Sequence, residues 1–475
     1  VLSALHSDSI KFLVTLSSRV VSALVGIIFV PIYVRLIGAE SYGLISFYAT
    51  LSGTLSILDL GLSTAISRQV AIDIAHKKER KEIIGLVFSV EVVYWLISLL
   101  IGLLVVIGSG IIATYWVKSN GTPVITIGNS IMLMGITFMF QFPMSFYNGI
   151  MTGLQKQVAN SVIIMLYSVF KAVGVIFILN YFTTSIEVYF VWQLVCTLLF
   201  TIILRVFSYS EFNFFIPLSS FSINQIKRIW RFAAGITGIS IISLLLTQVD
   251  KLAVSKLVTL EFVGYYNLAF LLAGGINQLI APIQPIIFPK FTSLIATKQH
   301  DLAIALYHKS AKWVSIVIFP IGLILFNFSY ELLLFWTNNQ LLTTNTSPVL
   351  KIAVLGCLFN CMMWVPYIFM LANGNTKFTI YQNIILSVLM MPLLYFLTIH
   401  YGIKGASYVW LCINTLYVVF SIPLFHYFFM KNEYLNWIKK DVIWPLVVSV
   451  LIFSLAKYVY TSYFNNTSNL YLLLI

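Results

Sequence analysis

The sequence predicts an all-α, polytopic membrane protein, and three observations carry that prediction. Hydrophobic residues fill 60% of the 475 positions and charged residues only 9%, against about one quarter charged in an average soluble domain. Mean hydropathy is +0.96, and apolar stretches of roughly 20 residues, the length that crosses a bilayer as a helix, recur along the chain. They lack the period-two alternation of barrel strands, and only helices and closed barrels satisfy their own backbone amides in lipid. The spans are therefore helices, and about 12–14 of them fit the chain.

Window hydropathy places the first six spans at about 11–36, 43–66, 83–107, 125–147, 158–180 and 188–207. Because the first apolar run is a full span rather than a short region with a small-residue cleavage site, it does not read as a cleavable signal. Next comes the longest polar interruption, from Arg205 to Arg231, reading RVFSYSEFNFFIPLSSFSINQIKRIWR. A second six follows at about 232–254, 264–288, 313–330, 348–372, 379–399 and 405–428, and one more span at about 442–460. The expected organisation is an N-terminal six-helix lobe over about 1–210, a cytoplasmic linker over 211–231, a C-terminal six-helix lobe over 232–430, and one or two extra spans over 431–475. The closing NLYLLLI is too short to cross a membrane, which leaves either an odd number of spans or a fourteenth cut short.

The formal net charge is +13. Nucleic-acid binding would gather that charge on one solvated face, whereas most of the 28 basic residues fall in alternate loops. With the N-terminus in the cytoplasm, the positive-inside asymmetry accounts for the charge without nucleic acid. All four cysteines, Cys196, Cys357, Cys361 and Cys412, lie in apolar segments, so neither disulfides nor a metal site is expected. Without a P-loop, no nucleotide cofactor is implied.

An internal repeat links the halves. Leu36-IGA-Glu40-SY-Gly43 and Leu257-VTL-Glu261-FV-Gly264 share the pattern L-x-x-x-E-x-x-G, each between the first and second spans of its half, as in transporters built from repeats. The same offset carries Arg19 onto Ser240, Ser22 onto Ser243 and Gly26 onto Thr247. In the first span Thr15, Ser18, Arg19, Ser22 and Gly26 share one helical face. Thr237, Ser240, Ser243, Thr247 and Asp250 do so in the seventh. A polar stripe in lipid must face other helices or water, so the two stripes suit opposite walls of a central cavity. The competing reading is that Ser and Thr simply let helices pack closely.

Charges inside the membrane cost at least ~2.5 to 3.5 kcal/mol each and demand a reason. Arg19, eight residues into its span, lies roughly 12 Å deep, and Glu91 matches it. Lys171 lies deep in the fifth span. Asp59 belongs to a stripe of Ser52, Ser56, Asp59 and Ser63 near the inner end of the second span, with Arg68 at the membrane surface; Asp250 and Lys251 lie near the outer end of the seventh span. These last four also suit local ion pairing or snorkelling. Cations in a low-dielectric cavity favour an anionic substrate, while Glu91, Asp59 and Asp250 are the candidate carriers of a coupling proton or sodium ion. Prolines such as Pro143, Pro320 and Pro392 interrupt many spans, as hinges or as ordinary kinks.

The segments PIYVRLIGAESYGLISFY (Pro31–Tyr48) and SILDLGLSTAISRQVA (Ser56–Ala71) resemble the opening of Wzx-type polysaccharide repeat-unit flippases, relatives of MATE transporters and the lipid II flippase MurJ. FYNGIMTGLQKQVAN (Phe146–Asn160), QVDKLAVSKLVTLEFVGYY (Gln248–Tyr266) and PIIFPKFTSL (Pro285–Leu294) extend the likeness to about residue 430. The resemblance implies two six-helix lobes around a central cavity and alternating access in the bacterial cytoplasmic membrane. It implies an undecaprenyl-diphosphate-linked oligosaccharide as cargo, among membrane lipids, with a polysaccharide polymerase and a chain-length regulator as protein partners. In that frame Arg19 and Lys171, with Ser22, Ser240, Ser243 and Thr247, would contact the cargo. MurJ-like sites carry a denser arginine cluster in the first two spans, which makes lipid II the less fitting cargo. A MATE-type ion-coupled drug antiporter remains an alternative. A membrane-embedded polymerase fits less well, because the outside loops are short and no paired-carboxylate motif appears.

Overall fold

The structure, a computed structural model, describes residues 14–210, 221–227, 247–374 and 376–464, except positions 16, 19, 58 and 60. These residues are overwhelmingly helical, and nine of their helices are long and apolar enough to cross a membrane, or ten if the bent pair Val20–Ile28 and Val30–Ser56 is one span. The protein is a multi-pass, all-α membrane protein. Its helices divide into two compact units, Val1–Glu261 and Phe262–Ile475.

In the first unit, α1 (Val20–Ile28) meets α2 (Val30–Ile57) at a bend of 43°. The chain then turns again inside α2 at Gly38, whose φ of +83° is open to glycine and strained for any side chain. That turn falls where the sequence separates its first two spans. Next come α3 (Leu62–Ala75), α4 (Arg80–Ile111), α5 (Val124–Gly153), α6 (Gln157–Tyr181), α7 (Ile186–Tyr209) and α8 (Val249–Leu257). Ser185 caps α7 by accepting the Glu187 N–H at 3.2 Å.

The second span differs from its sequence reading. Rather than running unbroken over about 43–66, α2 stops at Ile57 and α3 restarts at Leu62, with Asp59 in a turn and Gly61 left-handed at φ +68°. The cause is local: the Asp59 carbonyl accepts the Leu62 N–H at 2.9 Å and its carboxylate accepts the Ser63 N–H at 3.3 Å, competing with a continuous ladder.

Close crossings of small residues hold this unit together. A Cβ on Gly102 would stand 2.8 Å from the Gly135 carbonyl oxygen, which brings α4 and α5 into backbone contact. Gly149 and Gly153 do the same for α5 against α3, where added Cβ atoms would meet the Ser63 and Ser67 carbonyls at 2.5 and 2.7 Å. This is the small-residue packing that replaces the hydrophobic effect between helices in lipid. Gly149→Val should cost about 3 kcal/mol, the upper end for overpacking because the obstacle is backbone; the thermal midpoint of the purified variant in detergent checks this.

One end of this unit is closed by polar contacts. Glu40 accepts the backbone N–H groups of Asn120, Gly121 and Thr122 and the Ser119 hydroxyl, so one carboxylate shapes the loop after α4. That loop reaches the end of α8: the Leu260 N–H donates to the Lys118 carbonyl at 2.8 Å, and Lys118 Nζ donates to the Leu257 carbonyl at 3.0 Å. Gly43 lies directly against the Leu260 backbone. The two copies of the L-x-x-x-E-x-x-G repeat therefore touch one another.

In the second unit the helices are α9 (Leu260–Ile280), α10 (Gln284–Ala296), α11 (His300–Asn327), α12 (Ser329–Thr337), α13 (Gln340–Met362), α14 (Trp364–Ala372), α15 (Thr376–Leu416), α16 (Ile422–Phe429) and α17 (Trp444–Phe464). The apolar run Ile380–Phe429 has 50 residues, about 75 Å of helix against a hydrocarbon core of roughly 30 Å. It is therefore two crossings, and Gly402, at φ +58°, divides them where the sequence predicts a break near residue 400. Around α17, His308 Nδ1 bonds Asp441 at 2.5 Å and Nε2 bonds Glu433 at 3.0 Å. Two carboxylate acceptors require a proton on both ring nitrogens. At the other end, Lys457 pairs with Glu331.

Candidate functional site

The N-terminal bundle has two apolar clusters, one including Tyr94, Phe146, Ile163 and Phe200, the other Phe47, Phe138, Val175 and Phe190. Four helices of this bundle also carry polar side chains: Ser52 on α2, Gln141 on α5, Lys171 on α6, and Gln193 and Thr197 on α7. Tyr48 donates to Gln141 Oε1 at 2.8 Å and Ser52 does so at 3.3 Å. Tyr167 bonds Thr197 at 3.1 Å, and Thr197 donates back to the Gln193 carbonyl. Lys171 Nζ stands 5.2 Å from the centre of the Tyr167 ring, and its backbone carbonyl accepts the Trp192 indole N–H at 3.1 Å. The half-buried Lys171 thus lies in a polar layer midway through the bundle. Among the described residues, no carboxylate comes within ion-pairing distance of it.

Glu91 sits apart from this layer. Its carboxylate accepts Arg205 Nε at 2.8 Å, the Tyr147 hydroxyl at 2.6 Å and the Tyr209 hydroxyl at 2.5 Å, while the Trp95 indole donates to Tyr147 at 3.2 Å. This buried carboxylate is therefore the hub of an ion pair joining α4 to α5 and α7. Lys171, which the sequence places deep in the fifth span, takes no part in it.

Asp59, 7% exposed, is held by neutral donors alone among the described residues. One oxygen accepts Tyr94 and Ser145, the latter at 2.9 Å, and the other accepts the Ser63 hydroxyl and N–H. The helix break sets this up, because it turns the Asp59 side chain from a surface stripe into the junction of α3, α4 and α5. Among the described residues, four donors and no counter-cation surround this carboxylate.

Asp250 is buried, 3.8 Å from Lys251, and Lys251 also donates to the Thr247 carbonyl at 2.6 Å. Arg68 is exposed on α3 and Thr247 is exposed beside α8. Ser22 is half-buried, and its hydroxyl oxygen finds no partner among the described residues. Arg19, Ser240 and Ser243 lie outside the described residues. Tyr94, Ser145, Tyr147, Tyr209 and Arg205 surround the predicted acids, and sequence reading assigned none of them to a site. A tyrosine in an apolar span gives no sign of its partner, but uncharged amides in mid-span, Gln141 and Gln193, are legible signals of a polar layer.

Comparison with known proteins gives the same fold from end to end. The lipid II flippase MurJ in an inward closed conformation superposes with a TM-score of 0.71, covering 96% of this chain and 98% of that one at 17% identity. An inward-facing multidrug resistance MATE transporter of the MOP superfamily gives 0.65 over 94% and 96% at 15% identity. A Shigella flexneri protein assigned as an O-antigen transporter is 23% identical over 386 residues, 79% of this chain and 87% of its own length. The fold is thus shared with the MurJ and MATE transporters along nearly the whole chain. The family model described as "Polysaccharide biosynthesis protein" matches residues 10–295, more than half of the chain, and the protein therefore belongs to the polysaccharide biosynthesis protein family.

Proposed function

We propose that this protein is a flippase that carries undecaprenyl-diphosphate-linked oligosaccharide repeat units from the inner to the outer leaflet of the bacterial cytoplasmic membrane. It works by alternating access, with its N-terminus in the cytoplasm. The observation that carries the reading is the match to the polysaccharide biosynthesis family on a fold shared with a lipid flippase along nearly the whole chain. The similarity to a protein assigned to O-antigen transport supports surface polysaccharide as the destination, and with it a polymerase and a chain-length regulator as neighbours.

In this reading Arg19 and Lys171 offer positive charge to the diphosphate of the cargo, and Ser22, Ser240, Ser243 and Thr247 line its path. A gradient rather than a nucleotide drives the cycle, and the coupling falls to Asp59, because Glu91 and Asp250 are each engaged with a cation. The same carboxylate supports the second reading, an ion-coupled drug antiporter on a MATE-like fold.

The test replaces Arg19 and Lys171 singly with Gln in the native host, with membrane abundance confirmed. At least a tenfold loss of surface polysaccharide, with accumulation of lipid-linked repeat units, is the expected result. Full polysaccharide in a strain lacking the protein altogether would defeat the flippase reading. A cationic drug exported by wild type and not by Asp59→Asn would favour the antiporter.

A further inference from the structure

The segment that leads into α17 and the far end of that helix are fastened by different chemistry. α17 packs along α11. At its far end Lys457 pairs with Glu331 on α12, an ammonium with a carboxylate. At the near end the fastening is a histidine: His308 on α11 bonds Asp441 through Nδ1 at 2.5 Å and Glu433 through Nε2 at 3.0 Å. Both bonds are present only while the ring carries two protons, and histidine is the side chain that ordinarily changes charge near neutral pH.

The two carboxylates do not depend on the ring equally. The Asp441 side chain is 5% exposed and, among the described residues, is bonded by His308 alone. Glu433 is 24% exposed, accepts the Asn436 amide at 2.8 Å and is free to turn toward water. A ring left with one proton therefore keeps it on Nδ1, against the acid that has no other donor, and Nε2 then meets Glu433 with a lone pair. The other titratable and charged groups around the ring do not replace the lost donor. Tyr307 and His426 bond each other at 3.1 Å, and the second nitrogen of His426 meets the Ile422 carbonyl. Lys440 acts on Glu433 through space without pairing with it among the described residues, and Lys309, Lys312 and Lys439 are exposed.

We propose that His308, Glu433 and Asp441 form a proton-operated latch. The doubly protonated ring clasps residues 433–443, and with them the near end of α17, against α11; loss of the second proton as pH rises releases Glu433 first. The Lys457 end, roughly 24 Å of helix away, stays fastened, so the release loosens one end of α17 and leaves the other in place. This device goes beyond the flippase reading and does not rest on it.

Hydrogen exchange tests it. The purified full chain in nanodiscs is exchanged at about pH 6 and about pH 9, on either side of the range in which histidine ordinarily titrates, with rates corrected for the intrinsic effect of pH. Protection is read on peptides covering residues 430–443. In wild type it should fall about tenfold or more between the two conditions, while peptides from α5 change by less than about twofold. His308→Arg, charged at both pH values, should stay protected, and His308→Gln should be unprotected at both. Glu433→Gln separates a latch from a general loosening, because its amide accepts a bond from a protonated Nε2 and donates one to a bare Nε2; it should stay protected at both pH values. A wild type without the step, or a step of equal size in His308→Gln or Glu433→Gln, overturns the proposal. If the His308 variants are not monodisperse, Glu433→Gln decides by the same criterion. Because the measurement requires no transport, its failure is distinct from an intact polysaccharide coat in the deletion strain.

Discussion

Glu91→Ala should lower the stability of the protein by about 3–5 kcal/mol, the range for breaking a buried ion pair by removing one partner. The loss is large because the carboxylate serves three donors at once, Arg205, Tyr147 and Tyr209, and each is left without its acceptor. Arg205 is half exposed and can turn toward water; the two buried phenols cannot do so as readily. Glu91→Gln keeps an acceptor oxygen and loses the charge, so its penalty should be roughly half as large. The double variant Glu91→Ala with Arg205→Ala should recover part of the loss, since the cation is removed with its partner. Unfolding midpoints of the four purified proteins in one detergent make the measurement. Equal midpoints in wild type and Glu91→Ala would remove the cluster from any role in holding α4 to α7.

Gly43→Ala should have the second large effect, and on conformation as much as on stability. A Cβ at that position would lie 1.8 Å from the Leu260 carbonyl oxygen and 2.4 Å from its carbon, closer than non-bonded atoms approach, and the obstacle is main chain. Leu260 must therefore move off α2 and disturb its seam with Lys118, at about 1–3 kcal/mol for overpacking of this kind. Ser255, which accepts the Trp116 indole N–H at 3.1 Å across the seam, reports the opening: in a cysteine-free background, Ser255→Cys should react several-fold faster with a membrane-impermeant maleimide when Gly43→Ala is present. Unchanged labelling would mean that the helices shift together and the seam stays shut.

Much of the fold was legible because its determinants are local. Runs of about 20 apolar residues announce spans whatever surrounds them, and the glycines that divide α2 and α15 fall where polar breaks separate predicted spans. The break at Asp59 was less legible: the segment is apolar on both sides, and what ends the helix is a carboxylate competing for the Ser63 N–H. The deep charges were found from sequence because charge in lipid is rare, yet their roles were not. Glu91 and Asp59 each read from sequence as a coupling or ion-pairing acid, and their partners lie far along the chain: Arg205 for Glu91, Tyr94 and Ser145 for Asp59. Which acid is neutralised and which is not is a property of long-range packing, and hydropathy contains no term for it.

The Gly149 and Gly153 contact has a consequence for how the chain is made. At 14 residues, α3 is about 21 Å long and cannot by itself cross a bilayer of roughly 30 Å. Its neighbour across the glycine crossing, α5, ends at Gly153 and leaves the ribosome about 4 to 16 s after the end of α3 at roughly 5–20 residues per second. During that interval the buried face of α3, with Ile66 and Val70, has no glycine groove to enter. The contact that fixes α3 against its neighbour therefore forms only after synthesis of α5. A substitution that fills the groove would then act first as a defect of biogenesis, seen as nascent chains degraded before any mature protein has unfolded.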